Sequence, residues 1–383
     1  MKRLAYVLSI AALAALTSCR ETVFTPRPTI PLVYSILSDT SSLNVVKGYH
    51  SQDPDGSIAI IGTPEETILL AEKLLTADLV NNIDGSGRPD MLPDFSGEQF
   101  DLILDPVAAP YEKFLPDNTD GLREATVGLS MFAIDTLCRL NPFSADNLKP
   151  KSGAKVMLFS STLVSEFGQF DVDTLIQLAG GVPLTLSPAQ ALLEEALLGG
   201  DKVNIGVWAS AEVAGSGVYE AVHSNLRSAS TLKVLAPESG IDIKERFRSI
   251  LTQYRKDGCP LPMHVLLLDD FGAPVEEILA EADTIRAGFS EEDLAMAKVL
   301  APDFRVVEAT SALCHSCYRM LRRENLFTHN IEYPRASLYR TEKDHDGNTV
   351  LVELSDRYLP PELAEFMDVF AQTTRRFYVS NND

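Results

Sequence analysis

The chain has 383 residues, 45% hydrophobic and 23% charged, which is ordinary for a folded protein with a substantial core. Its formal net charge of −21 argues against binding nucleic acid or anionic lipid by charge, since phosphate contact needs clustered Lys and Arg. Past the first twenty residues no apolar run is long enough to cross a bilayer.

Lys2 and Arg3 precede an apolar run from Leu4 to Leu16, about 13 residues, which suits a secretory signal better than a spanning helix. It ends in Leu16-Thr17-Ser18-Cys19, which resembles the bacterial lipobox. The resemblance implies that residues 1–18 are a cleaved signal peptide and that the Cys19 thiol takes the lipid. The protein would then be a lipoprotein held in the bacterial cell envelope by several acyl chains. An ordinary cleaved signal and a retained anchor are the alternatives. Arg20 is not the aspartate that retains many lipoproteins at the inner membrane, so the resemblance implies the outer membrane, facing periplasm or surface. Arg20 to Pro31 is polar and proline-punctuated and reads as an extended tether within a lead-in covering 19–55.

From Ser57 onward short apolar runs alternate with longer amphipathic ones. Ile58–Gly62, Phe100–Asp105, Ala154–Ser160, Val182–Leu186, Val203–Ala209, Thr231–Ala236, His264–Asp269 and Phe304–Glu308 read as buried parallel strands. Apolar residues at i, i+3, i+4 spacing predict helices over 64–79, 122–140, 172–179, 189–198, 218–226, 243–256, 275–287 and 312–323. Thr63-Pro64-Glu65-Glu66 reads as a helix start with a threonine cap. The alternation predicts an α/β protein with two doubly wound parallel-sheet lobes, 56–181 plus 298–325 and 182–297. Residues 81–98 read as a surface loop. Residues 326–383 read as an appended extension, with a hairpin around Asp346-Gly347 and a helix over 361–374.

The region from Ala154 to Leu321 carries Gly181-Val182-Pro183, Ser187-Pro188, Val203-Asn204-Ile205-Gly206-Val207-Trp208-Ala209-Ser210, Ser216-Gly217-Val218-Tyr219 and Leu235-Ala236-Pro237-Glu238 in order. Together with Phe304–Glu308, Ala312 and Arg319, this order is similar to the cofactor-independent aspartate/glutamate racemase superfamily. The resemblance implies two active-site thiols. Where the family has them, this chain has Ser160-Ser161-Thr162 and Leu268-Asp269-Asp270, so two-thiol racemisation is not expected. No cofactor is assigned.

The strand ends at Thr63, Ser160, Ser161, Thr162, Ser210, Ser216 and Gly217 are expected to converge on a cleft, where hydroxyls and helix-start amides suit a small carboxylate. Helix capping alone is the alternative, and at Thr63 it is preferred because Glu66 would fill the anion site. Ser160, Asp269 and Asp270 are the candidate catalytic residues. Trp208 and Tyr219 suit either the cleft wall or the core.

Cys314-His315-Ser316-Cys317 lacks the further ligands of a zinc site, with His329 the nearest addition, and no metal is assigned. Both cysteines fall on one helix face, so buried thiols, or pairing with Cys138 or Cys259, are expected. His50, His223, His264 and His345 show no metal or catalytic spacing.

The expected function is recognition of a small carboxylate or amino-acid-like ligand by a lipid-anchored protein. A solute-binding lipoprotein feeding a transporter, with about three hinge strands between its lobes, is one alternative. An enzyme using Ser160 with Asp269 or Asp270 is another.

Overall fold

The computed structural model describes residues 27–49, 51–82, 86–200, 202–237, 242–256, 262–330 and 332–354. The signal, Cys19, His50, Cys259 and the helix read over 361–374 lie outside the described residues. In chain order the elements are α1 (Pro31–Ser38), α2 (Thr40–Lys47), β1 (Ser57–Gly62), α3 (Pro64–Leu75), β2 (Gln99–Leu104), a 3₁₀ turn (Tyr111–Phe114), α4 (Thr119–Ile134), β3 (Leu137–Arg139), β4 (Leu148–Pro150), β5 (Ala154–Phe159) and α5 (Thr162–Leu178). There follow β6 (Thr185–Leu186), α6 (Pro188–Leu197), β7 (Asn204–Trp208), α7 (Ala211–Ser216), α8 (Val218–Asn225), β8 (Thr231–Leu235), α9 (Ile243–Lys256), β9 (Met263–Leu268), α10 (Val275–Ala287), α11 (Glu291–Ala297), β10 (Leu300–Glu308), α12 (Ala309–Glu324), β11 (Arg335–Lys343) and β12 (Thr349–Glu353).

The strands form two sheets. The larger runs β4-β3-β12-β11-β2-β1-β5-β6 and the smaller runs β10-β9-β7-β8. In the smaller sheet every pairing is parallel. The larger is parallel from β11 through β2, β1 and β5 to β6, and antiparallel at β11–β12 and β3–β4. β1 and β5 are buried at every position, as central strands covered on both faces should be.

Four boundaries differ from the sequence reading. β6 pairs with β5 in the larger sheet, and β10 pairs with β9 in the smaller one, so the second sheet spans β7 to β10. The extension is no appendage. β11 adds to the larger sheet beside β2, with Gln99 opposite Arg335, and its Leu338, Tyr339 and Thr341 are buried there. Nor does the tether run free to Pro31: α1 and α2 bury Ile30, Val33 and Val46, and Ile30 N donates to Asp171 Oδ1 at 3.1 Å. The chain passes between the sheets twice, from β6 to β7 and from β10 to β11, not through three hinge strands.

Buried ion pairs sit inside the larger lobe. Lys155 on β5 is fully buried, with Nζ 2.7 Å from Glu98 Oε2 and donating to the carbonyls of Pro54 (2.6 Å) and Leu326 (2.8 Å). Arg123 on α4 holds the fully buried Asp171 through Nε at 2.7 Å. Among the described residues no helix is long and apolar enough to cross a membrane.

Candidate functional site

The carboxyl ends of β1 and β5 in one sheet face those of β7 and β9 in the other, and a cleft of about 680 Å³ lies there. Glu65, Glu66 and Leu69 on α3 form one wall. The other comprises Trp208 to Glu212, Pro237, Arg246 on α9, and Asp269 to Phe271 after β9. The place is that expected of an open α/β sheet, where strand ends and loops leave a crevice.

The chemistry of the walls is lopsided. Glu65, Glu66, Glu212, Asp269 and Asp270 supply five carboxylates, against one guanidinium from Arg246. The Arg246 guanidinium carbon lies 4.8 Å from the centre of the Trp208 ring, a cation–π contact. Its Nε is buried and meets no hydrogen-bond partner among the described residues. Asp270 carries a raised pKa through burial, partly offset by the charge of Arg246.

Asp269 sits at the end of β9, where its backbone N–H donates to Trp208 O at 2.9 Å. Its carboxylate accepts from Thr162 Oγ1 at 2.6 Å, a bond from the first turn of α5 across to the other sheet. Burial raises its pKa to about 6, against the lowering effect of the Thr162 hydrogen bond. Tyr219 is fully buried, and its hydroxyl, within electrostatic reach of Asp269, completes no hydrogen bond among the described residues. Burial, then the Asp269 charge, push its pKa well up. Glu66 accepts from Thr63 Oγ1 at 2.8 Å, and burial raises its pKa to about 8, with Asp269 adding to the rise.

Of the residues singled out in the sequence, Ser210, Asp269 and Asp270 line the cleft. Thr162 reaches it through Asp269. Ser160 does not belong. Its hydroxyl lies 2.9 Å from Thr67 Oγ1 and 3.3 Å from Ile61 O, inside the core. Glycine at 62 makes that possible, since a Cβ there would come within 2.0 Å of Ser160 Oγ. The pairing of Ser160 with Asp269 as a catalytic couple is therefore overturned. Ser161 precedes α5 with its side chain uncommitted to the cap, and is nearly buried. Thr63 and Ser210 cap α3 and α7 by accepting from Glu66 N and Val213 N. Ser216 donates to Val213 O at 2.7 Å, and Gly217 holds the positive φ of +78° between α7 and α8. These are turn-forming roles. Trp208 proves to be a wall of the cleft.

Arg246, Glu66 and Glu212 were missed. Arg246 lies on an amphipathic helix whose polar face reads as solvated, and Glu66 was spent on the Thr63 cap. A lone Arg four positions before Ile250 of a Phe247-Ile250-Leu251-Tyr254 stripe gives little signal.

The remaining candidates are structural. Cys138, Cys314 and Cys317 are buried free thiols, so pairing among these three is excluded, and burial pushes Cys314 up to about 12. His315 Nδ1 contacts Glu195 Oε1 at 3.1 Å, His223 contacts Ser230 and His264 accepts from Asn204 N. No three His, Cys, Asp or Glu side chains are grouped as metal ligands among the described residues.

No family model matches the chain, and no curated protein matches its sequence. In fold it is similar to a glutamate racemase from Francisella tularensis, with a TM-score of 0.49 and 14% identity over 76% of this chain and 89% of that one. It is also similar to a glutamate racemase isoform from Bacillus anthracis, with a TM-score of 0.48 and 13% identity over 75% of this chain and 89% of the other. An aspartate racemase homologue from Pyrococcus horikoshii aligns with a TM-score of 0.40 and 15% identity, over 70% of this chain and 99% of its own.

Proposed function

We propose that this is an exported protein, lipid-anchored through Cys19, that binds a small zwitterionic, amino-acid-like ligand in the cleft between its sheets. The observation that carries the ligand is Arg246: the single guanidinium of a cleft walled by carboxylates, with a buried N–H lacking a partner among the described residues. A buried unpaired donor of this kind asks for an acceptor. A ligand carboxylate meets it, while Asp269 and Asp270 suit the ligand's ammonium group, with the carboxyl of Glu66 a further acceptor. A simple dicarboxylate is disfavoured, because its second charge would face those acids. The anchor rests on the Leu16-Thr17-Ser18-Cys19 sequence.

The test is a thermal-shift and calorimetric screen on the protein lacking residues 1–19. Amino acids of both hands are compared with dicarboxylates and with amines lacking a carboxylate. Zwitterions should stabilise the protein, and Arg246→Gln should abolish that shift while leaving the unliganded Tm within a few degrees. Absence of stabilisation by any zwitterion at millimolar levels would refute the reading. An equal response to plain dicarboxylates would remove the role assigned to the acidic wall.

A further inference from the structure

A lipid on Cys19 leaves only eight residue steps before Arg27, which span at most about 27 Å fully extended. At Arg27 the chain is already bound to the body. The Arg27 guanidinium carbon lies 4.4 Å from the centre of the Phe167 ring, and Nη2 meets Glu166 Oε1 at 3.2 Å. Arg123 Nη2 donates to Pro28 O at 2.6 Å, and Ile30 N donates to Asp171, which Arg123 itself holds. The tether is thus held by a backbone carbonyl and a backbone N–H bound to the buried Arg123–Asp171 pair, and by the Arg27–Glu166 contact. A lipid on Cys19 would therefore hold the lobe close to the bilayer on the side where the chain arrives.

That side is α5. Phe170 follows Phe167 by one turn and is 51% exposed, and Leu178, 57% exposed, falls within an arc of about 80° of it on the same helix. Thr174 and Gln177 complete the arc, so beyond Glu166, already paired with Arg27, no charge stands on it. Val182, just past the helix, is 59% exposed. On the flanks Asp171 is buried and Asp173 accepts from Thr185 Oγ1 at 2.9 Å. In a chain of net charge −21, an uncharged stripe with an exposed aromatic is a surface that an anionic bilayer repels little.

We propose that the Phe170–Thr174–Leu178 stripe of α5, with Val182, is a membrane-contacting face that rests in the interfacial layer of the bilayer holding the lipid of Cys19. This rests on the anchor reading and is independent of what the cleft binds. Apolar side chains of the stripe give the contact, and the short docked tether keeps this side of the body within about 27 Å of the bilayer.

The experiment uses the full acylated protein, reconstituted in phosphatidylethanolamine–phosphatidylglycerol vesicles with brominated acyl chains. Phe170→Trp is compared with Phe289→Trp, a 93% exposed site on the other lobe; the native Trp208, nearly buried, is a common background. Bromine should quench the added fluorescence of Phe170→Trp several-fold more than that of Phe289→Trp. The mass of the Cys19 peptide is measured on the same sample. Acylated protein with equal quenching at both positions overturns the contact face alone. Protein without acyl mass on Cys19 overturns the anchor and this face with it. Phe170→Trp/Leu178→Glu should return quenching to the Phe289→Trp level, and retention of full quenching in that variant also overturns the face.

Discussion

Thr162 Oγ1 donates to Asp269 Oδ1 across 2.6 Å, joining the first turn of α5 in the larger lobe to the end of β9 in the smaller. The bond favours the ionised carboxylate, so it works hardest where Asp269 is charged. Thr162→Val removes the donor at nearly constant volume. It should cost about 1–3 kcal/mol at pH 8, where a buried carboxylate is left short of a partner, and less at pH 5. Urea denaturation at the two pH values reads this, and a cost that stays flat across pH 6 would refute it.

Glu66 provides the complementary case. Its folded pKa of about 8 lies above the ordinary glutamate value near 4.5, so the folded state holds a proton that the unfolded chain releases. Its contribution to stability is thus fully present below pH 4.5 and is lost as pH rises through about 8. Glu66→Gln stays neutral and can still accept from Thr63. Its Tm relative to the parent should climb steadily between pH 5 and pH 9. A constant difference over that range would contradict the burial of this carboxyl group.

Trp208 is the only tryptophan of the chain, and it lies under Arg246 in the cleft wall. Intrinsic fluorescence is therefore a reporter of that wall alone. A ligand that draws the guanidinium towards its carboxylate should change the emission in a saturable way, and Arg246→Ala should change the unliganded spectrum. A ligand that binds by calorimetry without altering Trp208 emission sits elsewhere.

The Lys155–Glu98 pair predicts that the double substitution is less costly than the single one. Lys155→Met alone strands Glu98 in the core and should cost about 3–5 kcal/mol. Glu98→Leu/Lys155→Met removes both charges, and its loss should be smaller than that of the single variant, although the carbonyls of Pro54 and Leu326 lose a donor. Denaturant midpoints of the three proteins test the order.

The sequence was most legible where burial is one-sided or complete along a strand. α9 and α10 end where their amphipathic stripes end, and β1 and β5 read as unbroken apolar runs because both faces are covered. α5 was cut short for the opposite reason. Thr162, Leu163, Val164, Ser165, Phe167 and Gly168 are all buried, so its first turns show no stripe of period 3.6. α1 and α2 were overlooked because each is only eight residues long and follows a proline-punctuated stretch. In the site, hydroxyl residues at strand ends were equated with a cleft lining. Whether a serine at a strand end points into the cleft or the core depends on its neighbour across the sheet, here Gly62 for Ser160, and no local pattern encodes that.

The position of β11 sets the order in which the molecule can be completed. β2 needs a neighbour on each side, and one of them lies near the far end of the chain. While the polypeptide is being synthesised, β2 waits with an open hydrogen-bonding edge, a template for pairing with the wrong chain. Closure of that edge is a long-range event and among the slower steps of assembly. A chain stopped before residue 335 is accordingly not a smaller version of this protein but an aggregation hazard.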